Sequence, residues 1–443
     1  MSLTHRLRLL QIRLGDWPIY SFLLALGQIL SANSYQIVLL TGEVSQTATK
    51  LYMVAGTYGI TSVLWWFIYR RFQSLYTLSL PWFFYGLAFL LVGISPFVPA
   101  DSSRDVVRSL ATCLYAAGAS TGSIFFAVNF GDEGGSPIST WIFRACVIQG
   151  IQQLYVVALW YWASVLNGQG GHGPASGTIA SSAVPVVLVI TVPVAILMWL
   201  VGIVLFVGLP DYYRQSPDYI PSFYKSLMRR HVVPWFFLAV VVQNYWLSAP
   251  YGRNWQFLFS SKYIPGWSAV LLAIGFFVVV WALLLWVFSK FSLSHPWIVP
   301  MFSVGLGAPR WAQMLWGTSG VGLYLPWLGS AVASAVVSRM LWLWLGVLDT
   351  IQGVGVGMVL LLTLTRQHVA ATLIGAQVLG SIATILARAT APDKLGPGDV
   401  FPDFSEGIMP GISKAWFWVA LIMQLIIPFG YFKFFRKEQV AKP

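Results

Sequence analysis

Charge is what this chain lacks most. Only 9% of its 443 residues are charged, whereas a soluble domain carries about 25% charged residues. Hydrophobic residues make up 57% of the chain and aromatic residues 16%, including 22 tryptophans, whose rings are enriched at bilayer interfaces. The composition excludes an ordinary soluble domain and predicts that lipid surrounds most of the chain.

The chain is also poor in residues that bind metals or form disulfides. It has two cysteines, Cys113 and Cys146, and five dispersed histidines, none at the spacing of metal ligands. It contains no glycine-rich loop ending in Gly-Lys-Ser/Thr, no nucleophile elbow and no HExxH motif. The sequence therefore predicts no catalytic residue of these classes, no metal and no cofactor.

Basic residues outnumber acidic ones, 26 to 14, but they are scattered singly between apolar runs. Without a basic stripe or an aromatic platform, nucleic acid is not an expected partner. The basic residues are better interpreted as topology signals and as contacts with anionic lipid. Their excess on one side, when the spans are alternated, predicts that both termini are cytosolic.

Long apolar runs are what the chain does have. A membrane span needs about 20 mostly apolar residues. The runs predict an all-α, polytopic integral membrane protein with about 12 transmembrane helices. The expected spans are 18–40, 51–69, 75–97, 108–130, 139–165, 183–208, 233–250, 266–289, 316–337, 339–365, 367–388 and 413–432.

A polar segment divides these spans into two groups of about six, the layout of a two-bundle transporter. The predicted organisation has five parts. They are a cytosolic amphipathic lead-in at 1–17, a first membrane bundle at 18–208, a central cytosolic loop at 209–232, a second membrane bundle at 233–432 and a basic cytosolic tail at 433–443.

Several polar residues fall inside the predicted spans, where an unpaired amide or charge is costly. Arg144 and Asp349 are a candidate ion pair, which would serve either function or helix packing. The polar faces as a whole either line a wet conduit or pack between helices. The candidates are Gln28, Tyr35, Arg144, Gln149, Gln152, Gln153, Gln243, Asn244 and Asp349.

Two further groups are candidates for carbohydrate chemistry. Arg310, Trp311 and Trp316 offer a cationic and aromatic surface of the kind that stacks on sugar rings, although tryptophan at a membrane interface is the commoner explanation. Asp132 and Glu133 lie in the loop GDEGG and are the best available acids for a membrane-embedded glycosyltransferase.

Long strings of the sequence resemble the carboxy-terminal multi-span region of fungal cell wall α-1,3-glucan synthases, from about Gly15 to the end of the chain. The strings are GDWPIYSFLLALGQILSANSYQIVLLTGE, SIFFAVNFGDEGG, WIFRACVIQGIQQLYVVALWYW, LPDYYRQSPDYIPSFYKSLMRR and GLGAPRWAQMLWGTSG.

The resemblance implies a three-part protein: an extracellular amylase-like domain, a cytosolic transferase that uses UDP-glucose, and a membrane region that passes the polymer outward. This chain holds only the membrane region, so family catalytic residues have no positions here and enzymatic activity is left open. The implied partners are the lipid bilayer, the α-1,3-glucan chain and the two soluble domains, and the implied location is the plasma membrane. The alternatives are a secondary transporter of a small solute and a membrane anchor for a synthase.

Overall fold

The computed structural model describes residues 48–122, 184–214, 230–247 and 366–390 continuously. It also describes 12–14, 17–20, residues 23, 124, 147 and 151, and parts of 265–278, 328–340 and 422–434. The account below concerns these residues.

Long helices dominate the described part of the chain. In chain order they are α1 (Ala48–Arg71), α2 (Ser74–Ile94), α3 (Asp101–Ala119), α4 (Val184–Gly208), α5 (Val232–Leu247) and α6 (Arg366–Thr390). Two 3-10 turns, Ser95–Phe97 and Asp211–Arg214, follow α2 and α4. A short antiparallel hairpin, β1 (Arg13–Leu14) and β2 (Trp17–Pro18), precedes them.

Three of these six helices have the length and composition of membrane spans. Among the described residues, three segments are both long and apolar enough to cross a bilayer: Ser74–Phe97, Thr191–Gly208 and His368–Leu386. Pro81 lies inside α2 and Pro193 inside α4, which membrane helices tolerate when neighbouring groups bond the freed carbonyls. The all-α membrane fold expected from the apolar runs is confirmed.

The fourth predicted span, 108–130, is misplaced. The helix there is α3, which begins seven residues earlier, at Asp101, and ends at Ala119. The first two turns of α3 are charged, so hydropathy alone assigned them to a loop. In the structure, the Arg104 guanidinium donates a hydrogen bond to the Val98 carbonyl at 3.0 Å. At the other end, the Thr121 amide donates to the Gly118 carbonyl at 3.2 Å and closes a turn.

The described helices form a continuous series of neighbours. Helix α2 packs between α4 and α3, α1 packs between α3 and α6, and α6 also contacts α5. Helices α1 to α4 precede the central loop, whereas α5 and α6 follow it. The α1–α6 contact therefore joins the two parts of the chain that the loop separates.

Glycines bring α2 and α4 into close contact. Gly86 faces the indole of Trp199, whose Nε1 donates to the Phe83 carbonyl at 3.2 Å. Gly202 faces Trp82 in the same way. Small residues allow membrane helices to approach closely, and van der Waals packing then supplies most of the attraction. These two helices therefore form a closely packed pair.

Candidate functional site

Helix α1 carries polar side chains on two of its faces. Thr57, Thr61 and Trp65 recur every four residues and share one face, while Tyr58 and Ser62 share the next. A hydroxyl that faces hydrocarbon without a partner costs several kcal/mol, on the order of the loss of a hydrogen bond in an apolar medium. Each face therefore needs a polar neighbour.

The first face is satisfied by α3. The Thr61 hydroxyl lies 2.8 Å from the Ser120 hydroxyl, and the Thr57 hydroxyl donates to Cys113 Sγ at 3.4 Å. Trp65 Nε1 donates to the Ala117 carbonyl at 2.7 Å. Both helices belong to the same half of the chain, so these bonds fix α1 within its own bundle.

The second face meets α6 from the other half. Gln377 Nε2 donates to the Tyr58 hydroxyl at 2.7 Å, across 319 residues of sequence. The Ser62 hydroxyl donates to the Tyr58 carbonyl at 2.7 Å and makes a longer contact, 3.5 Å, with Gln377 Oε1. We refer to Tyr58, Ser62, Gln377 and Ser381 as the polar seam.

The backbones of α1 and α6 approach closely at the seam. A Cβ placed on Gly59 would lie 3.2 Å from the Cβ of Ser381, so these two positions are in direct contact. The Ser381 hydroxyl donates to the Gln377 carbonyl within its own helix, at 2.9 Å. The two halves thus touch through a glycine and a serine, flanked by the Gln377–Tyr58 bond.

The seam has the chemistry to bind a hydroxylated ligand. Its groups are a phenol, a carboxamide and two hydroxyls, all of which both donate and accept hydrogen bonds. A sugar hydroxyl can replace one of these partners without leaving the other unsatisfied. The seam is therefore a polar strip that can either close onto itself or exchange its bonds with a carbohydrate.

Comparison with known proteins identifies the family. A sequence profile described as "Mok13-like, transmembrane domain" matches residues 8–440. The chain belongs to this family. It is 46% identical over 443 residues to the cell wall α-1,3-glucan synthase mok13 of Schizosaccharomyces pombe, and 46% identical over 435 residues to the synthase ags1 of the same organism. The resemblance found in the sequence is confirmed.

These relatives are much longer proteins. The alignments cover 98% and 97% of this chain but 18% of each relative. The membrane domain is thus what the chain shares with the glucan synthases.

Solved structures show which fold this chain adopts. The chain aligns with the fucose:proton symporter FucP of Escherichia coli, with a TM-score of 0.54 at 13% identity over 95% of the chain and 98% of that protein. It aligns with a bacterial homologue of the iron transporter ferroportin, with a TM-score of 0.55 at 13% identity over 94% and 99%. At such low identity the likeness shows the fold alone. Together with the twelve-span family, it confirms the predicted two six-helix bundles.

The residues proposed from sequence for the substrate path fall largely outside the described residues. Gln243 and Asn244 are placed in the last turns of α5, but only as positions on its backbone. The remaining candidates lie outside the described residues: Gln28, Tyr35, Asp132, Glu133, Arg144, Gln149, Gln152, Gln153, Arg310, Trp311, Trp316 and Asp349. The path through the first, fifth and seventh spans, and the Arg144–Asp349 pair, stay predictions.

The seam itself was not among the sequence-based candidates, although a signal for it exists. Tyr58 and Ser62 are four residues apart in one apolar run, and Gln377 and Ser381 are four apart in another. This is the helical spacing that singled out the polar residues of the first span. Nothing in the spacing shows that these two pairs face each other.

A double-mutant cycle on the seam measures its strength. Tyr58→Phe and Gln377→Leu should each lower the stability of the folded protein, because each removes one partner of the 2.7 Å bond. The coupling energy should be about 0.6 kcal/mol and no more than about 1.7 kcal/mol, the range measured between membrane helices. Reversible unfolding in mixed micelles supplies the four stabilities, and strictly additive losses would mean that the two residues do not interact.

Proposed function

We propose that this chain is the membrane module of an α-1,3-glucan synthase and that it carries the nascent α-1,3-glucan across the plasma membrane for cell wall assembly. The observation behind the proposal is the similarity over 98% of the chain to cell wall α-1,3-glucan synthases. A polymer made in the cytosol needs a wet, polar route through hydrocarbon, and the family has a transporter-like fold in which such a route runs between two bundles.

The polar seam supports a route between the halves. It places hydrogen-bonding groups where α1 and α6 meet, at the contact between the two halves of the chain. A glucan presents several hydroxyls on every sugar unit, so it can satisfy Tyr58 and Gln377 in turn when the two helices part. Satisfying the exposed groups in this way keeps the cost of opening low.

The proposal extends to orientation and to partners. Arg70 and Arg71 end α1, and Arg214 follows α4, at the ends of helices that alternation places in the cytosol. The positive-inside rule then gives a module with both termini cytosolic. A cytosolic transferase domain would deliver the polymer to this face, and an amylase-like domain would meet it outside.

The direct test is transport by the purified chain. Liposomes containing the protein are loaded with labelled α-1,3-linked gluco-oligosaccharides, and release is compared with that of labelled glucose. We expect selective release of the oligosaccharide. We also expect the Arg144→Ala variant to release it more slowly, because a buried cation in a span is a candidate part of the path.

Other results would assign a different role. A folded, reconstituted protein that releases neither sugar would be an anchor for the synthase domains. Glucose transport driven by a proton gradient, without oligosaccharide release, would indicate a secondary transporter of small solutes. Equal release of both sugars would indicate an unselective pore.

A further inference from the structure

A third face of α1 is exposed and carries large apolar side chains. Ile60, Leu64 and Phe67 are 66%, 54% and 59% exposed, and they follow one another at intervals of four and three residues. This is the spacing of a single helix face. It lies apart from the faces that contact α3 and α6, so we assign it to the lipid.

Two arginines end this lipid-facing stripe. Arg71 follows Phe67 by four residues and Arg70 follows it by three, and both are exposed. Helix α1 has 24 residues, or about 36 Å at 1.5 Å per residue, which exceeds the hydrocarbon core of about 30 Å. Its last residues, Arg70 and Arg71, therefore reach the level of the lipid headgroups.

Aromatic rings connect these arginines to the end of α4. Phe72 packs edge-on against Tyr76 at a centroid distance of 6.2 Å, and Tyr76 packs against Phe206 at 6.0 Å. Arg214 donates to the Phe206 carbonyl at 2.7 Å and to the Val207 carbonyl at 2.9 Å. The surface is thus an aromatic row, Phe72, Tyr76 and Phe206, that runs from the end of α1 with Arg70 and Arg71 to the end of α4, which Arg214 follows.

The charge of this surface is positive. Asp211 is an exposed acid in the same 3-10 turn as Arg214 and offsets part of its charge. The hairpin adds a further exposed cation, Arg13. Tyr20, which follows the hairpin, packs on Tyr213 of the 3-10 turn with ring centroids 5.9 Å apart and so holds the hairpin near this surface. Among the described residues of this end of the first bundle, arginines outnumber acids.

We propose that Arg70, Arg71 and Arg214 line a binding surface for the phosphate headgroups of anionic phospholipids, with Phe72 and Phe206 against the upper acyl chains. Arginine binds phosphate through two parallel hydrogen bonds as well as through charge. Exposed phenylalanines beside these cations suit the boundary between headgroup and acyl chain. The site is independent of whether the chain conducts glucan.

The position of the arginines favours lipid over an acidic protein partner. A protein that docked on them would also have to cover Phe67 and Leu64, which lie on the same stripe but deeper than the headgroups. Lipid meets both requirements at once, because its acyl chains cover the stripe while its phosphate meets the guanidinium groups. Anionic lipids are concentrated in the cytosolic leaflet, in agreement with the proposed orientation.

Native mass spectrometry of the full chain in detergent tests the site. The protein is titrated with phosphatidylserine or phosphatidylcholine of identical acyl chains, and the bound lipids are counted. We expect the wild type to prefer phosphatidylserine, and the Arg70→Gln/Arg71→Gln variant to lose affinity for it on the order of 30-fold, since each of the two basic groups near a membrane surface contributes about 1 kcal/mol. The Arg70→Lys/Arg71→Lys variant keeps the charge but loses the paired hydrogen bonds, so its affinity for phosphatidylserine should fall between those of the wild type and the glutamine variant.

Three outcomes would overturn the proposal. The wild type could bind both lipids equally, the glutamine variant could bind phosphatidylserine as the wild type does, or the lysine variant could lose as much affinity as the glutamine variant. A further arm adds glycerophosphoserine, the headgroup without acyl chains. Competition by this soluble ester as strong as that of the lipid would assign the site to a free phosphate ester instead.

Discussion

Gly202→Ala is expected to lower the stability of the protein by about 1–3 kcal/mol, the usual cost of adding a methyl group to a tightly packed contact. The new Cβ would lie 2.9 Å from the Cβ of Trp82 and 3.3 Å from the carbonyl oxygen of Ser79. Neither atom can rotate away, because one is attached to the backbone of α2 and the other is part of it. Relief therefore requires α4 to move off α2.

The chain offers a matched control for this substitution. Gly56 also lies inside a helix, α1, but a Cβ there would meet nothing within 4 Å. Gly56→Ala should stabilise the protein by about 0.5–1 kcal/mol, because alanine loses less conformational freedom than glycine when a helix forms. Thermal or SDS-induced unfolding of the two purified variants gives the comparison. Similar stabilities for both would contradict the close contact at Gly202.

The sequence could not have distinguished these two glycines. Both lie in apolar runs, and each run alone predicts only a helix. The runs predicted helix extents well where the polar boundaries are sharp: the span expected at 183–208 is the helix Val184–Gly208. What a glycine faces depends on which helix packs opposite it, and neighbours in a bundle are chosen by shape across long separations.

The same limit explains why the seam was missed. The apolar runs at 51–69 and 367–388 predicted two helices, and both are present as Ala48–Arg71 and Arg366–Thr390. The polar pairs on these helices are neutral, and a neutral side chain costs far less to bury in a membrane than the charge of Arg144. The sequence therefore directed attention to Arg144. Only the fold shows that Tyr58 and Gln377 are hydrogen-bonded to each other, because 319 residues separate them in the sequence.

A disulfide between the halves should stop transport. Gly59→Cys and Ser381→Cys place two thiols where the Cβ positions are 3.2 Å apart, close to the about 3.5–4.5 Å found in disulfides. The native cysteines are first replaced, by Cys113→Ser and Cys146→Ser, so that the new pair is the only one. If glucan passes between the halves, oxidation should reduce oligosaccharide release to that of protein-free liposomes, and a reducing agent should restore it.

A second disulfide controls for damage by oxidation. The Thr57 hydroxyl lies 3.4 Å from Cys113 Sγ, so Thr57→Cys, combined with Cys146→Ser, should cross-link α1 to α3 with the native thiol. Both helices belong to the first half, and this bond leaves the two halves free to separate. Release should therefore continue after oxidation in this variant, although it stops in the first.

Comparison of the two disulfides shows whether the polar seam opens during transport. If only the α1–α6 disulfide stops release, these helices must separate during transport. The hydrogen bond between Gln377 and Tyr58 would then break and reform in each cycle. If release continues with either disulfide formed, the glucan path lies away from the seam. The Gln377–Tyr58 hydrogen bond would then only hold the two bundles together. The path predicted from the sequence, through the first, fifth and seventh spans, would then be the alternative to test.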